Sequence, residues 1–165
     1  MYISGKEGVK VFTYQNQNWI TPDTGIISGH SFGEVRVGQI DDKPFVTGVE
    51  SMHGNELTVY LPGSNQRIVL TEELNQGHAL ATEDFLNSGI DQIVVGWRKA
   101  NADQEIGIKI FVATDSLGTR WKSHWVDKNG MACEDLKIAD LNGDGKMDII
   151  AAGRDSHNLK IYWGK

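Results

Sequence analysis

An apolar strand that ends at glycine, a polar loop, and an alternating strand that closes on an aromatic: this phrase occurs four times in the chain. It is centred on Gly5, Gly48, Gly96 and Gly153, spaced 43, 48 and 57 residues apart. The alternating strands read Val9-Lys10-Val11-Phe12, Leu57-Thr58-Val59-Tyr60, Ile108-Lys109-Ile110-Phe111 and Leu159-Lys160-Ile161-Tyr162. Successive side chains of a β-strand point to opposite sides, so the lysines or threonine are expected on one side and the aliphatics on the other.

A further strand is expected ahead of the last three glycines, at 34–40, 79–85 and 135–141. Segments bearing Trp or Arg at 19–21, 66–70 and 121–126 supply a fourth. Units of four strands that repeat every ~40–50 residues are the signature of a β-propeller. A β-sandwich also has evenly spaced strands, but it does not require the same phrase to recur. The expected fold is therefore all-β: a partial propeller of about three and a half four-stranded antiparallel blades, with blade parts near 1–26, 27–70, 71–126 and 127–165. Insertions at 99–105 and around 115–119 account for the long last interval. The chain begins within one blade and ends after the third strand of another. It is expected to be a fragment, or to be completed by self-association, by additional blades or by another domain.

Composition agrees with many short strands joined by tight turns: 19 glycines, three prolines, and Trp, Tyr, Phe, Val and Ile in short clusters. A net charge of −6 argues against nucleic acid as a partner, because a phosphate backbone selects a basic face. Cys133 is the only cysteine, which excludes an intrachain disulfide and a zinc–thiolate cluster. No apolar run reaches the ~20 residues of a membrane helix. The N-terminus, MYISGKEG, lacks the basic-then-apolar order of a signal peptide.

The segment Asp140-Leu141-Asn142-Gly143-Asp144-Gly145-Lys146-Met147-Asp148 places side-chain oxygens at loop positions one, three, five and nine. Calcium takes six to eight oxygen ligands, and a tight loop offers alternate side chains plus a carbonyl. Asp140, Asn142, Asp144, the backbone carbonyl of Lys146, and Asp148 are the expected ligands of Ca²⁺, with Mg²⁺ the lesser alternative. Position twelve is Ala151 rather than the Glu of an EF-hand, and the flanks alternate as strands. A metal-free Asn-Gly or Asp-Gly turn is the plainer alternative. The corresponding loops at 84–91 and 39–43 look degenerate, the first short of two ligands and one residue. One structural site, without catalysis, is expected.

With DLNGDGKMDIIAAGR in view, the chain resembles the FG-GAP/VCBS repeat family, whose blades carry D-x-N/D-x-D-G-x-x-D loops. The stretches ESMHGNELTVY, NQGHALATEDF, IVVGWR and GRDSHNLKIYW are similar to the propeller of aldos-2-ulose dehydratase/isomerase-type proteins. That resemblance implies a seven-bladed parent, often fused to cupin domains, using divalent metals and acting on keto-sugars. For the parent it favours an extracellular or periplasmic setting. This chain contains no cupin segment.

In a four-stranded meander the calcium loop joins strands one and two on one side of the disc. The loops from strand two to three, and from each blade to the next, lie on the opposite side. Those loops carry Glu50 and His53, Trp97 and Arg98, and Arg154, Asp155 and His157; the blade connections carry His30, His78 and Glu134. Neutral imidazole and carboxylate suit Zn²⁺, and His also serves as a general acid or base near neutral pH. His53, His78, His157 and Glu134 are the candidate catalytic or zinc-binding residues. Arg98, Arg154, Trp97 and His30 are the candidates for holding a sugar. Each could equally be an ordinary loop-to-loop contact, and Trp97 a wedge between blades. Trp19, Trp121 and Trp163 read as packing. Two functions stay open: part of a sugar-acting carbon–oxygen lyase, or a non-catalytic module that binds carbohydrate or protein.

Overall fold

The computed structural model describes residues 1–21, 26–61, 63–64 and 66–165. Among them every regular element is a β-strand, and no helix is long and apolar enough to cross a membrane. The first unit contains β1 (Tyr2–Gly5), β2 (Gly8–Val11), β3 (Thr13–Gln15), β4 (Asn18–Ile20) and β5 (Ile27–Ser28). The second contains β6 (Glu34–Ile40), β7 (Lys43–Glu50), β8 (Glu56–Tyr60) and β9 (Arg67–Thr71). The third contains β10 (Gly77–Glu83), β11 (Gln92–Trp97), β12 (Gly107–Ala113) and β13 (Trp121–Lys128). The last contains β14 (Cys133–Ala139), β15 (Asp148–Gly153) and β16 (Asn158–Tyr162).

Pairing is antiparallel throughout, in sheets ordered β1-β2-β5, β6-β7-β8-β9, β10-β11-β12-β13 and β14-β15-β16, with β3-β4 a separate hairpin. The first strands line up across sheets: β10 lies against both β6 and β14, and β1 lies against β6. Three apolar clusters fill the gaps between successive sheets. Val9, Ile27, Phe32, Val46 and Tyr60 join the first two. Phe45, Leu57, Val59, Leu80, Ile93, Val95, Trp97 and Phe111 join the second and third. Ala79, Val94, Ile108, Cys133, Leu136 and Ile149 join the third and last. The middle sheets are thus covered on both faces. Even Thr58 and Lys109, the polar members of their alternating strands, are buried. Thr58 is satisfied by the Gly48 carbonyl and the Glu50 carboxylate, and Lys109 by Glu73 and the ring of Trp125.

Ionic ties reinforce the last seam. Asp127, at the end of β13, accepts from Lys160 (2.7 Å) and Tyr162 (2.6 Å) on β16 and from the Gly130 amide. Burial would raise its pKa, but these donors outweigh it, and the carboxyl titrates below its usual range.

Several sequence expectations need correction. The strands expected at 79–85 and 135–141 begin and end two residues earlier, because Asp84 and Asp140 each start a turn that their own side chains close. The segment 19–21 is not the fourth strand of the first sheet: Trp19 pairs with Tyr14 in the hairpin, and Ile27–Ser28 takes the place on β2. Trp19 and Trp163 are more than half exposed, whereas Trp121 packs edge-on against Phe45. The glycines are not equivalent. Gly96 pairs with Ala79, while Gly153 pairs with Cys133, the counterpart of Gly77, so Gly153 corresponds to Trp97. A constant offset of 56 residues (133 − 77, 148 − 92) relates the third sheet to the last.

Candidate functional site

The turn between β14 and β15 is built from its first side chain. Asp140 Oδ1 accepts the amides of Gly143 (2.7 Å) and Asp144 (3.2 Å), and Oδ2 accepts that of Gly145 (2.9 Å). Gly145 adopts φ +83°, a left-handed conformation that favours glycine. Asn142 Oδ1 also accepts the Asp144 amide, at 2.9 Å, so the oxygens of positions one and three converge on one point. Asp144 Oδ1 accepts the Lys146 amide and its Oδ2 accepts from the Asn142 side chain. Asp148, fully buried, accepts the amides of Leu141 (3.0 Å) and Gly164 (2.8 Å). The donor set is all oxygen and suits Ca²⁺ or Mg²⁺. Asp140, Asn142 and Asp144 are close neighbours at the exposed end, while Asp148 faces backbone amides at the strand mouth. Among the described residues no three His, Cys, Asp or Glu side chains cluster as a metal-binding group.

The turn between β10 and β11 is the same turn. Glu83 pairs with Gln92 as Ala139 pairs with Asp148, so both connections have equal length and no residue is missing, against the sequence expectation. Asp84 accepts the amides of Ser88 (2.9 Å) and Gly89 (2.7 Å) as Asp140 accepts those of Asp144 and Gly145. Gly89 matches Gly145 with φ +79°. Gln92, 1% exposed, stands where Asp148 stands and accepts the Leu86 amide. Burial would raise the Asp84 pKa, yet the Ser88 and Gly89 donors outweigh it and hold the carboxyl below its usual range. The β6–β7 connection is a two-residue turn through Asp41 and Asp42, both at positive φ.

Where the loops that join strands two and three meet the starts of β10 and β14, several expected residues come together. The His53 and His78 rings stack at 5.0 Å between centroids. His78 Nδ1 lies 2.6 Å from the Glu134 carbonyl oxygen, and its Nε2 lies 4.0 Å from Glu134 Oε1. Glu134 accepts two bonds from one terminal nitrogen of Arg98, 3.2 and 3.3 Å from its two oxygens, while the other terminal nitrogen reaches Gln76. Arg154 approaches the same carboxylate at 4.0 Å. Burial lowers the His53 pKa, and the positive charge of Arg98 and the neighbouring His78 lower it further. A cleft of about 200 Å³ opens between Gln76, Arg98, Lys99, Arg154 and Asp155, with Lys99 paired to Asp155. The Arg98 Nε is buried without a hydrogen-bond partner.

Three expected members stand apart. Trp97 is 1% exposed and donates its indole N–H to the Glu105 carbonyl, so its ring packs between sheets and is closed to a sugar. His157 is exposed at the tip of its own turn, its amide bonded to Arg154 O. His30 leaves the group altogether: its Nδ1 lies 3.0 Å from Glu50 Oε2. Glu50 closes β7 and is buried rather than part of a loop. It accepts from Thr58 (2.7 Å), Tyr60 (2.9 Å) and Arg67 (3.0 Å), and Arg67 also pairs with Glu56. Burial pushes the Glu50 pKa up, but the Arg67, Thr58 and Tyr60 donors outweigh it and the carboxylate stays charged. Sequence reasoning missed this network. The alternation of Thr58 and Tyr60 opposite a strand-ending Glu was the only available signal.

No protein-family model matches the chain, and no curated protein matches it.

Proposed function

We propose that the chain is a calcium-clamped segment of a β-propeller of the FG-GAP/VCBS repeat kind, and that the loop side bearing His53, His78, Arg98 and Arg154 binds a carbohydrate. The order of the sheets, each with its first strand against the first strand of the next, supports the propeller. One observation carries the calcium: the two equivalent turns share a backbone, and the last has Asn142 and Asp144 where the third sheet has Leu86 and Ser88. The turn closes without an oxygen at position three or a carboxylate at position five in the third sheet, so in the last sheet the Asn142 and Asp144 side chains are surplus to folding. Asp140, Asn142, Asp144, the Lys146 carbonyl and Asp148 would hold the ion, which supplies charge neutralisation and rigidity. Calcium uptake by the purified chain, lost in Asp144→Ala, is the test; retention in that variant overturns it.

For the carbohydrate, the cleft beside Arg98 and Arg154 offers charged donors, and His53 and His78 offer further polar edges. Saturation-transfer NMR with a monosaccharide panel tests this, with Arg154→Ala expected to weaken binding about tenfold. Zinc finds less support than sugar: the two rings stack on each other and Arg98 occupies the Glu134 carboxylate. The lyase reading rests on His53, whose pKa is lowered by burial and by Arg98, which favours the neutral ring that can act as a base. It would take the proton alpha to a carbonyl while hydroxide, protonated by a second group, leaves the adjacent carbon as water. Turnover of a 1,5-anhydrofructose-type keto-sugar, abolished by His53→Ala, distinguishes a lyase from a binding module.

A further inference from the structure

A cavity lies elsewhere, between the first and second sheets. It measures about 630 Å³ and is lined by Tyr2, Ile27, Val46, Tyr60, His30 and Arg67, among others. That volume is the size of an ordinary small-molecule site, and the wall mixes apolar side chains and polar groups in about equal measure. Glu50 sits behind the wall, 93% buried at its side chain and 3.0 Å from His30 Nδ1. In the neutral ring, a carboxylate beside Nδ1 favours the proton on that nitrogen and leaves Nε2 as the acceptor. Among the described residues, His30 Nε2 makes no hydrogen bond, and the His30 side chain is 41% exposed.

The local charge narrows the ligand further. Arg67 is the one cation in the network and is shared between Glu50 and Glu56. The three groups carry one net negative charge, which repels a carboxylate or phosphate. Tyr60 and Thr58 already spend their hydroxyl protons on Glu50. What the wall still offers is therefore an acceptor at His30, the hydroxyls of Ser28 and Ser64, an aromatic face and apolar surface.

We infer that this cavity is a second ligand site, separate from the His53 side, for a small, uncharged molecule with an apolar body and a hydroxyl donor, with His30 as the Glu50-oriented acceptor. The inference is independent of the propeller and calcium readings.

The test uses three probes of one shape: p-cresol, its methyl ether p-methylanisole, and p-toluate. Binding to the full chain is read by saturation-transfer NMR and titration, with circular dichroism confirming that each variant folds. Saturable p-cresol binding is expected, with the ether about tenfold weaker and p-toluate weaker still. His30→Ala should bring p-cresol down to the level of the ether. Val46→Trp, which fills the cavity from its apolar side, should abolish both. Equal binding of p-cresol and its ether, preference for p-toluate, absence of saturable binding, or indifference to His30→Ala would each overturn the proposal.

Discussion

The turns at 84–91 and 140–147 share a length, a leading aspartate that caps the same two amides, and a left-handed glycine at the same place. They differ in what surrounds that frame. The first carries Leu86, Ser88 and Gln92 where the second carries Asn142, Asp144 and Asp148. The backbone of this turn is thus specified by one carboxylate and one glycine. A buried oxygen acceptor at the strand mouth, amide in one and carboxylate in the other, takes up a neighbouring backbone N–H. The extra oxygens of the second turn are free to have another purpose, and clustered carboxylates repel unless a cation joins them.

The comparison breaks most visibly at the strand mouth. Asp148→Ala leaves two backbone amides without acceptors in a site closed to water. A loss of roughly 3 kcal/mol is expected, or ~6–12 °C in Tm for a chain of this size, measured by thermal unfolding in EDTA. Gln92→Ala at the equivalent place should cost less, since it orphans a single amide there. Equal costs would mean that the two acceptors are interchangeable and that the carboxylate has no extra structural part.

Exchanging the turns sharpens the point. Leu86→Asn/Ser88→Asp/Gln92→Asp should give the third sheet a calcium response of its own. At calcium 100 times Kd the gain is about 2.7 kcal/mol of stability, read as a shift of Tm between EDTA and calcium. If the grafted turn stays silent, something outside these positions determines uptake.

How much of this was legible beforehand divides along physical lines. Oxygen ligands at fixed spacing lie within one turn, so Asp140 to Asp148 could be read directly. Alternating strands were equally local, and β6 and the course of β8, β12 and β16 follow from them. Register was not local. Gly96 and Gly153 look alike in sequence, yet cross-strand pairing offsets them by one, since each glycine only marks where side-chain room ran out: Cys133 presses on Gly96, and Ser156 on Gly153. The convergence of His53, His78, Arg98 and Glu134 followed from topology alone. The fate of Trp97 did not, because its burial depends on how the second sheet packs on the third. Nor did the departure of His30 to Glu50, which needed the depth of β7 in the core.

A smaller effect concerns acid. The folded-state pKa of Asp84 is depressed from 3.8, so its contribution is full above the unfolded value and is lost as pH falls through the folded one. Asp84→Asn should therefore flatten the decline of stability below about pH 4. Urea unfolding at stepped pH measures it, and an unchanged slope would show that the turn's hydrogen bonds do not favour the charged carboxylate.

The most direct measurement is calcium stoichiometry by equilibrium titration on the unaltered chain and on Asn142→Leu/Asp144→Ser, which gives the last turn the side chains of the third. One ion per chain is expected for the first and none for the second, with the EDTA unfolding curves of the two agreeing within about 1 kcal/mol. Absence of uptake by the unaltered chain, or equal uptake by both, would contradict the account.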